Sequence, residues 1–360
     1  MTKQLLSLGL MSGTSLDGVD AALIRTDGET VSDLGASLTR PYPDDLREAL
    51  RSVLGGQGPV TDVERRLTDF HAETVSDLLA RAEIPAGTVD VLGFHGHTIL
   101  HRPGEGRTWQ IGDGQRLAAL TGIPVVNGFR TADVDAGGEG APLVPVFHAA
   151  LAAGLERPLA ILNLGGVGNV TWIGAKDELL AFDTGPGNAL IDDWVRRRTG
   201  QSMDCDGVLA AAGAVDQEAV CGFLDHPYFM AKPPKSLDRD DFAALAEQLV
   251  AGLSSEDGAA TLTAFTVASV VVAAGHFPKR PKRWLVCGGG RRNPRIMAGL
   301  EAVLEAPVRP VDGEGWDGDA LEAQAFAFLA VRSLRGLPLS FPGTTGVPTP
   351  LAGGVLHPAG

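Results

Sequence analysis

The chain has 360 residues, 44% of them hydrophobic, and a formal net charge of −14. That length favours two domains, and the charge excludes a nucleic-acid footprint, which needs clustered Lys and Arg; the one basic run, just before Trp284, is broken by proline and reads as a solvated connector. Three cysteines, Cys205, Cys221 and Cys287, form no CxxC pair and fit a reducing compartment, and no unbroken apolar run reaches the length of a membrane span.

In chain order, an apolar segment over 5–10 reads as a strand. It mimics a signal segment but runs into a polar loop rather than a cleavage site, so a cytoplasmic protein is expected, with neither membrane nor nucleic acid as partner. A second strand over 19–25 follows Asp17-Gly18, the turn signal of a β-hairpin. The stretch 44–56 places Leu46, Leu50 and Leu54 at helical spacing and stops at Gly55. The next helix, over 61–84, starts with Thr61 and Glu64 as a capping box and ends before Pro85. VDVLGFHGHT (89–98) reads as a buried strand emptying into a Gly/His loop. The same pattern returns in LAILNLGGVGN, ELLAFDTGPGN and RWLVCGGGRRN. The last two lead into helices, with Asn188 and Asn293 as N-caps and Pro294 at a first helical position. The Pro/Gly-rich end, 340–360, reads as an extended segment packed on the surface.

Strands that repeatedly end in Gly loops place those loops at one sheet edge, where α/β proteins bind ligands. Free backbone N–H groups there suit phosphate oxygens, although turns need glycine with or without a ligand. Neither a P-loop nor a dinucleotide fingerprint is present, so a phosphate site at the first hairpin, which carries no Lys, would need backbone N–H groups, a few Arg or a bound cation, with plain turn chemistry as the alternative. Asp183 enters a Gly loop from a strand; it reads either as a turn aspartate bonding its own loop or as a general base. Glu322 reads either as the closing residue of a capping box with Asp319 or as a carboxylate on the stripe with Phe326 and Leu329. His95, His97 and His101 lack fitting Asp or Cys ligands nearby, so no metal site is assigned. Arg130 and Asp133 form either a structural ion pair or a sugar clamp.

LGLMSGTSLDGVDAALI (8–24) resembles the opening motif of the anhydro-N-acetylmuramic acid kinases. The likeness continues through GFHGHTILHRP, QIGDG, FRTADVDAGGEGAPLVP, ILNLGGVGNVT, AFDTGPGNALID, CGGGRRN, GDALEAQAFAFLA and LPLSFPGTTGVPTPLAGGVLHP, in the family's order over most of the chain. The resemblance implies an α/β, two-domain actin/hexokinase-like (ribonuclease H-like) fold with a central cleft. It divides the chain into residues 1–130, with the first hairpin and part of the sugar site, and 131–360, with the catalytic aspartate and the adenosine side, the C-terminal segment packing back on the first domain. It implies that ATP and water open the 1,6-anhydro ring of anhydro-N-acetylmuramic acid, giving N-acetylmuramic acid 6-phosphate for cell-wall recycling.

Residue by residue, the resemblance places Gly13, Thr14, Ser15, Leu16, Asp17, Gly18, Val19 and Asp20 on the ATP phosphates. Gly165, Gly166, Gly288, Gly289 and Asn293 fall on the nucleotide side. Asp183 becomes the base that activates water, and Glu322 assists at the bridge oxygen. His97, Thr98, Arg130 and Asp133 hold the sugar. Mg²⁺ arrives with ATP, with Asp17 or Asp20 as outer partners of its water. His97 stands where the family has Gln, Gly128 where it has Asp and Glu139 where it has Gln. Two other readings stay open: a hexokinase-type kinase of a reducing amino sugar, and a nucleotide-driven ATPase switch. Homodimer formation is a further expectation left open.

Overall fold

A computed structural model of the chain describes residues 2–13, 16–176 and 178–360. The chain forms two compact units, residues 1–154 with 320–360, and residues 155–319. The first begins with an antiparallel meander, β1 (Leu5–Ser12), β2 (Gly18–Thr26) and β3 (Val31–Pro41). Helices α1 (Asp44–Ser52) and α2 (Val60–Arg81) lead to β4 (Val91–Arg102), parallel to β1. Next come β5 (Arg107–Ile111), α3 (Gly114–Thr121), β6 (Val125–Asn127), α4 (Thr131–Asp135) and α5 (Pro145–Leu151).

The second unit repeats the plan with β7 (Leu159–Leu164), β8 (Val167–Ile173) and β9 (Leu179–Pro186) as an antiparallel meander. Five helices follow: α6 (Ala189–Thr199), α7 (Val208–Ala212), α8 (Gln217–Leu224), α9 (Ala243–Val250) and α10 (Ser255–Ala274). Then β10 (Trp284–Cys287), α11 (Pro294–Val303) and β11 (Val308–Pro310) complete it. The chain returns to the first unit with α12 (Leu321–Leu334), α13 (Pro342–Thr345) and β12 (Val355–His357).

The sheets have one logic. The first runs β3-β2-β1-β4-β6, extended by β12 on β6 and β5 on β4; the second runs β9-β8-β7-β10-β11. In both, a meander is continued by two parallel strands beside its first strand, the strand order expected of a ribonuclease H-like unit. The first sheet is covered on one face by α1, α2 and α3 through Leu46, Leu67, Phe70 and Leu117 against Leu8, Leu10 and Phe94. On its other face, α12 packs Phe326, Leu329 and Ala330 against Val91 and Val126. A β-carbon on Gly9 would stand 1.8 Å from Ala323 O, and one on Gly93 2.0 Å from Phe326 O, so helix backbone lies directly on strand backbone.

Several local expectations change. The boundary expected at 130/131 falls at 154/155, because α5 stays with the first unit through Phe147 against Phe328 of α12. The Gly/His segment expected as a loop is strand: β4 continues to Arg102 and pairs with β5 beyond Gly96. The capping box at Thr61 does not form, since α2 starts after Pro59 and Glu64 instead accepts from Gly112 N at 2.9 Å. Asn188 precedes α6 without a side-chain cap and donates to Leu164 O and Gly165 O. Nor does Asp319 cap α12; its carboxylate holds Arg291 and Arg292. Asn293 does cap α11, accepting from Arg295 N and Ile296 N.

The C-terminal end is not a plain surface segment, for β12 adds an antiparallel edge strand to β6. Contrary to the absence of any span-length apolar segment, α10 has the length and composition to cross a membrane, with mean hydropathy 1.5, yet 61% of that window is buried. A helix apolar on all sides is also what a domain centre requires, and α10 packs Leu262, Phe265 and Val270 into the core of the second unit.

Candidate active site

In the first unit, the loop between β1 and β2 is tied from outside. Leu16 adopts a left-handed backbone with φ of 60° while its side chain enters the core. Arg47 Nε donates to Leu16 O at 3.1 Å, and Tyr42 N donates to Asp17 O at 3.0 Å. Val19 is also a core residue, so Leu16 and Val19 can offer a ligand only their backbone. Asp17 is exposed, and Asp20 accepts from Thr39 Oγ1 at 2.6 Å. Thr14 and Ser15 lie outside the described residues.

Behind this loop, Ser12 Oγ meets Tyr42 Oη at 2.6 Å and His97 Nδ1 at 2.8 Å, all three groups being buried. Burial pushes the His97 imidazole down to about 4, so it is neutral near pH 7. Its ring is 0% exposed and turned to Ser12.

The other candidate sugar residues gather along β4, β5 and α4. Arg130 precedes α4 and reaches back with Nε and NH2 to His95 Nε2 at 3.2 and 3.0 Å, and with NH1 to Gly140 O at 2.8 Å. His95 Nδ1 lies 2.9 Å from Gly96 O, which fixes the proton on Nδ1 and leaves Nε2 to accept from the guanidinium. Burial first, then the Arg130 charge, hold its pKa well below the ordinary histidine range. Asp133 is buried and spends its carboxylate on the chain: Oδ1 accepts from Gly140 N and Oδ2 from Thr345 Oγ1, both at 2.6 Å. Thr98 Oγ1 accepts from Gln110 Nε2 at 3.2 Å. Glu322 stands in the first turn of α12, where the helix dipole favours a carboxylate. His101 Nδ1 meets Thr108 Oγ1, so the three histidines of β4 serve three different partners.

In the second unit, three Gly-rich turns converge at the ends of β7, β9 and β10. Gly187 N donates to Gly166 O, and Asn188 N to Gly165 O. Gly288 has φ of 72°, and a β-carbon there would stand 2.4 Å from Asn163 Oδ1, so this turn passes directly against the end of β7. Gly289 opens the short turn that ends at Asn293 and α11. Arg291 locks it, donating to Gly288 O and to the carboxylates of Asp312 and Asp319.

Asp183 sits in β9, held by the segment that precedes α9. Leu237 N donates to its Oδ2 at 2.8 Å, its own N donates to Lys235 O at 3.0 Å, and Tyr228 Oη donates to its carbonyl at 2.5 Å. Lys235 Nζ donates to Tyr228 O at 2.9 Å and lies 4.3 Å from the Tyr228 ring centre. Burial pushes its ammonium down to about 8. Burial, then the Asp183 charge, push the Tyr228 phenol up, so it remains a donor.

The structure thus groups Leu16, Asp17, Gly18 and Asp20 with Ser12 and His97, and separately His95 with Arg130, in the first unit. In the second it groups Gly165, Gly166, Gly288 and Gly289. Tyr42, Tyr228, Lys235 and Leu237 are absent from the sequence reading, since each acts across a long chain separation. A compositional signal existed: Tyr42 and Tyr228 are the chain's two tyrosines; one hydroxyl meets Ser12 beside the candidate hairpin residues and the other holds Asp183.

Two α/β units of one strand order, with Gly-rich turns after their strands, define a two-unit actin/hexokinase-like fold. A family model for anhydro-N-acetylmuramic acid kinase matches residues 5–359. The anhydro-N-acetylmuramic acid kinase of Paramagnetospirillum magneticum is 66% identical over 353 residues, covering 98% of this chain and 99% of the relative. Those of Rhodospirillum rubrum and Acidiphilium cryptum are 57% and 56% identical, covering 98% and 97% of this chain and 94% and 97% of the relatives. The chain belongs to the anhydro-N-acetylmuramic acid kinase family and is a kinase with a small-molecule sugar and ATP as substrates.

Proposed function

We propose that the chain opens the 1,6-anhydro ring of 1,6-anhydro-N-acetylmuramic acid with water and phosphorylates O6 from ATP, giving N-acetylmuramic acid 6-phosphate and ADP for reuse of cell-wall sugar. Water adds to C1 as the C1–O6 bond breaks. O6 takes the γ-phosphoryl group as the bond to ADP breaks, and the water proton goes to Asp183. The reaction resembles inverting glycoside hydrolysis, except that the leaving oxygen stays on the product and its developing charge is captured by phosphorus. Glu322 assists at the bridge oxygen, and Thr98, Arg130 and Asp133 form the sugar side, whereas the buried His97 ring faces Ser12 and not the sugar. The first hairpin, with Gly165, Gly166, Gly288, Gly289 and Asn293, takes the nucleotide; Mg²⁺ enters with ATP as part of that substrate.

The observation that carries this reading is the hold on Asp183, whose backbone is fixed on both sides and whose Oδ2 is oriented by Leu237 N. A base restrained in this way keeps its geometry through the reaction. An ADP-coupled assay comparing the anhydro sugar with N-acetylmuramic acid, run in H₂¹⁸O, tests it. Turnover of the anhydro sugar with label at C1 is expected; turnover of the reducing sugar alone would favour a hexokinase-type reaction. Asp183→Asn should lower kcat by about 10²–10⁴-fold, with ATP binding retained by calorimetry.

A further inference from the structure

Tyr42 touches both ends of the first hairpin loop. Its backbone N–H holds Asp17 O at 3.0 Å, where the chain enters β2, and its hydroxyl meets Ser12 Oγ at 2.6 Å, where the chain leaves β1. His97, from the neighbouring strand β4, meets the same Ser12 oxygen at 2.8 Å. Ser12, Tyr42 and His97 are 1%, 3% and 0% exposed, so water cannot replace a lost bond at these atoms without repacking. The Tyr42 ring packs on Phe70 of α2, with ring centres 5.2 Å apart, which sets the hydroxyl independently of the loop. Arg47 completes the clasp, donating to Leu16 O and Tyr42 O.

We propose that Tyr42 and His97 are positioning residues for the ATP phosphates: through Ser12 they fix the end of β1, while Tyr42 N–H fixes Asp17 at the start of β2, so that the first hairpin is anchored on both sides of the point where it meets the phosphates. The inference rests on the reading of that hairpin as the phosphate site. It gives His97 a role other than sugar contact, since its ring is buried against Ser12 and meets the substrate only through the hairpin it anchors. A backbone cradle has no side chain to aim, so its affinity depends on the loop being formed beforehand. Tyr42 stays protonated because burial pushes its phenol up, and the neutral His97 ring adds no charge behind the phosphates.

The test measures KM for ATP and for the sugar, together with the melting temperature, in the full-length enzyme carrying Tyr42→Phe, Ser12→Ala, His97→Leu or His97→Gln. Tyr42→Phe keeps the ring on Phe70 and removes one hydrogen bond. It should raise KM for ATP about fivefold, the equivalent of one buried neutral hydrogen bond, with KM for the sugar unchanged. Ser12→Ala should exceed this, having lost both partners. His97→Leu should behave like Tyr42→Phe, and His97→Gln, whose amide can reach Ser12, should recover the wild-type value. Equal rises in both KM values, or a change in melting temperature alone, would overturn the proposal, as would a rise confined to the sugar KM in the His97 variants. Hydrogen exchange of the wild-type amides at 13–18 with and without ATP tests the underlying reading separately: protection supports the phosphate site, and its absence removes that reading whatever the variants do.

Discussion

The two units share a strand order and differ in what fills the space around their helices. In the first, glycine at positions 9 and 93 lets the backbone of α12 rest on β1 and β4, and the polar groups Ser7, Ser12, His71, His95 and His97 are buried around the sheet. In the second, large rings fill the space among the helices: Phe223 of α8 stacks on Phe265 of α10 at 4.2 Å, and Phe229 and Phe242 stack at 5.4 Å. A core of rings tolerates adjustment by repacking, whereas backbone against backbone admits no added atom. The contrast teaches where each unit keeps its precision. The first uses close approach and buried polar pairs to shape a loop, and the second uses bulk to carry a strand bearing a carboxylate.

The sharpest way to break this contrast is at the contact itself. Gly93→Ala forces a β-carbon onto Phe326 O, for which no side-chain movement compensates. It should cost more than about 4 kcal/mol and unfold the first unit in denaturant titrations. Phe265→Ala in the second unit should cost about 3–5 kcal/mol, the ordinary price of an emptied aromatic site. If Gly93→Ala proved the milder of the two, the close-packing contrast would be wrong.

Acid should separate the units next. His71 and His97 are held at about 4 and His148 at about 3 by burial, all in the first unit. The unfolded chain takes up these protons near 6.5, and the folded chain resists until the lower values. Stability is therefore full above about pH 6.5 and falls as pH drops from there through 4. A drop from 6.5 to about 4 corresponds to on the order of 3 kcal/mol for a fully buried ring such as His71. In the second unit His226 and His276 are only partly buried, and partial burial pushes the His276 imidazole down. Hydrogen exchange at pH 7 and pH 5 should show β4 amides losing more protection than β10 amides; equal losses would remove the distinction.

The smallest effect compares the two tyrosines. Tyr228→Phe removes the donor to Asp183 O while keeping the ring beneath Lys235. It should lower kcat several-fold, about 1 kcal/mol, and leave KM for ATP unchanged, the opposite split from Tyr42→Phe. Steady-state kinetics on both variants would decide whether each tyrosine serves its own unit's half of the chemistry.

Much of the local plan was legible in the chain. The first hairpin, α1, the strands β7 and β10 ending in Gly turns, and the cap of α11 by Asn293 depend on nearby residues, and they formed as their patterns indicate. The capping misreadings have one physical cause. Glu64, Asn188 and Asp319 each carry a side chain able to cap a helix, and each found a better partner elsewhere: Gly112 N, the Leu164 and Gly165 carbonyls, and the Arg291 and Arg292 pair. Local capping spacing states what is available, and tertiary competition settles its use.

The sequence by itself determined the periodic elements, the family and the residue types at the site, because these rest on local pattern and on motif order along the chain. Only the tertiary structure decided that residues 320–360 complete the first unit, that Arg130 leans on His95, that Asp183 is fixed by Tyr228 and Leu237, and that Tyr42 and His97 meet at Ser12. Those partners are separated by 30 to 85 positions along the chain. No local preference couples residues so far apart; burial does, by making an unpaired polar group cost more than the bond that satisfies it.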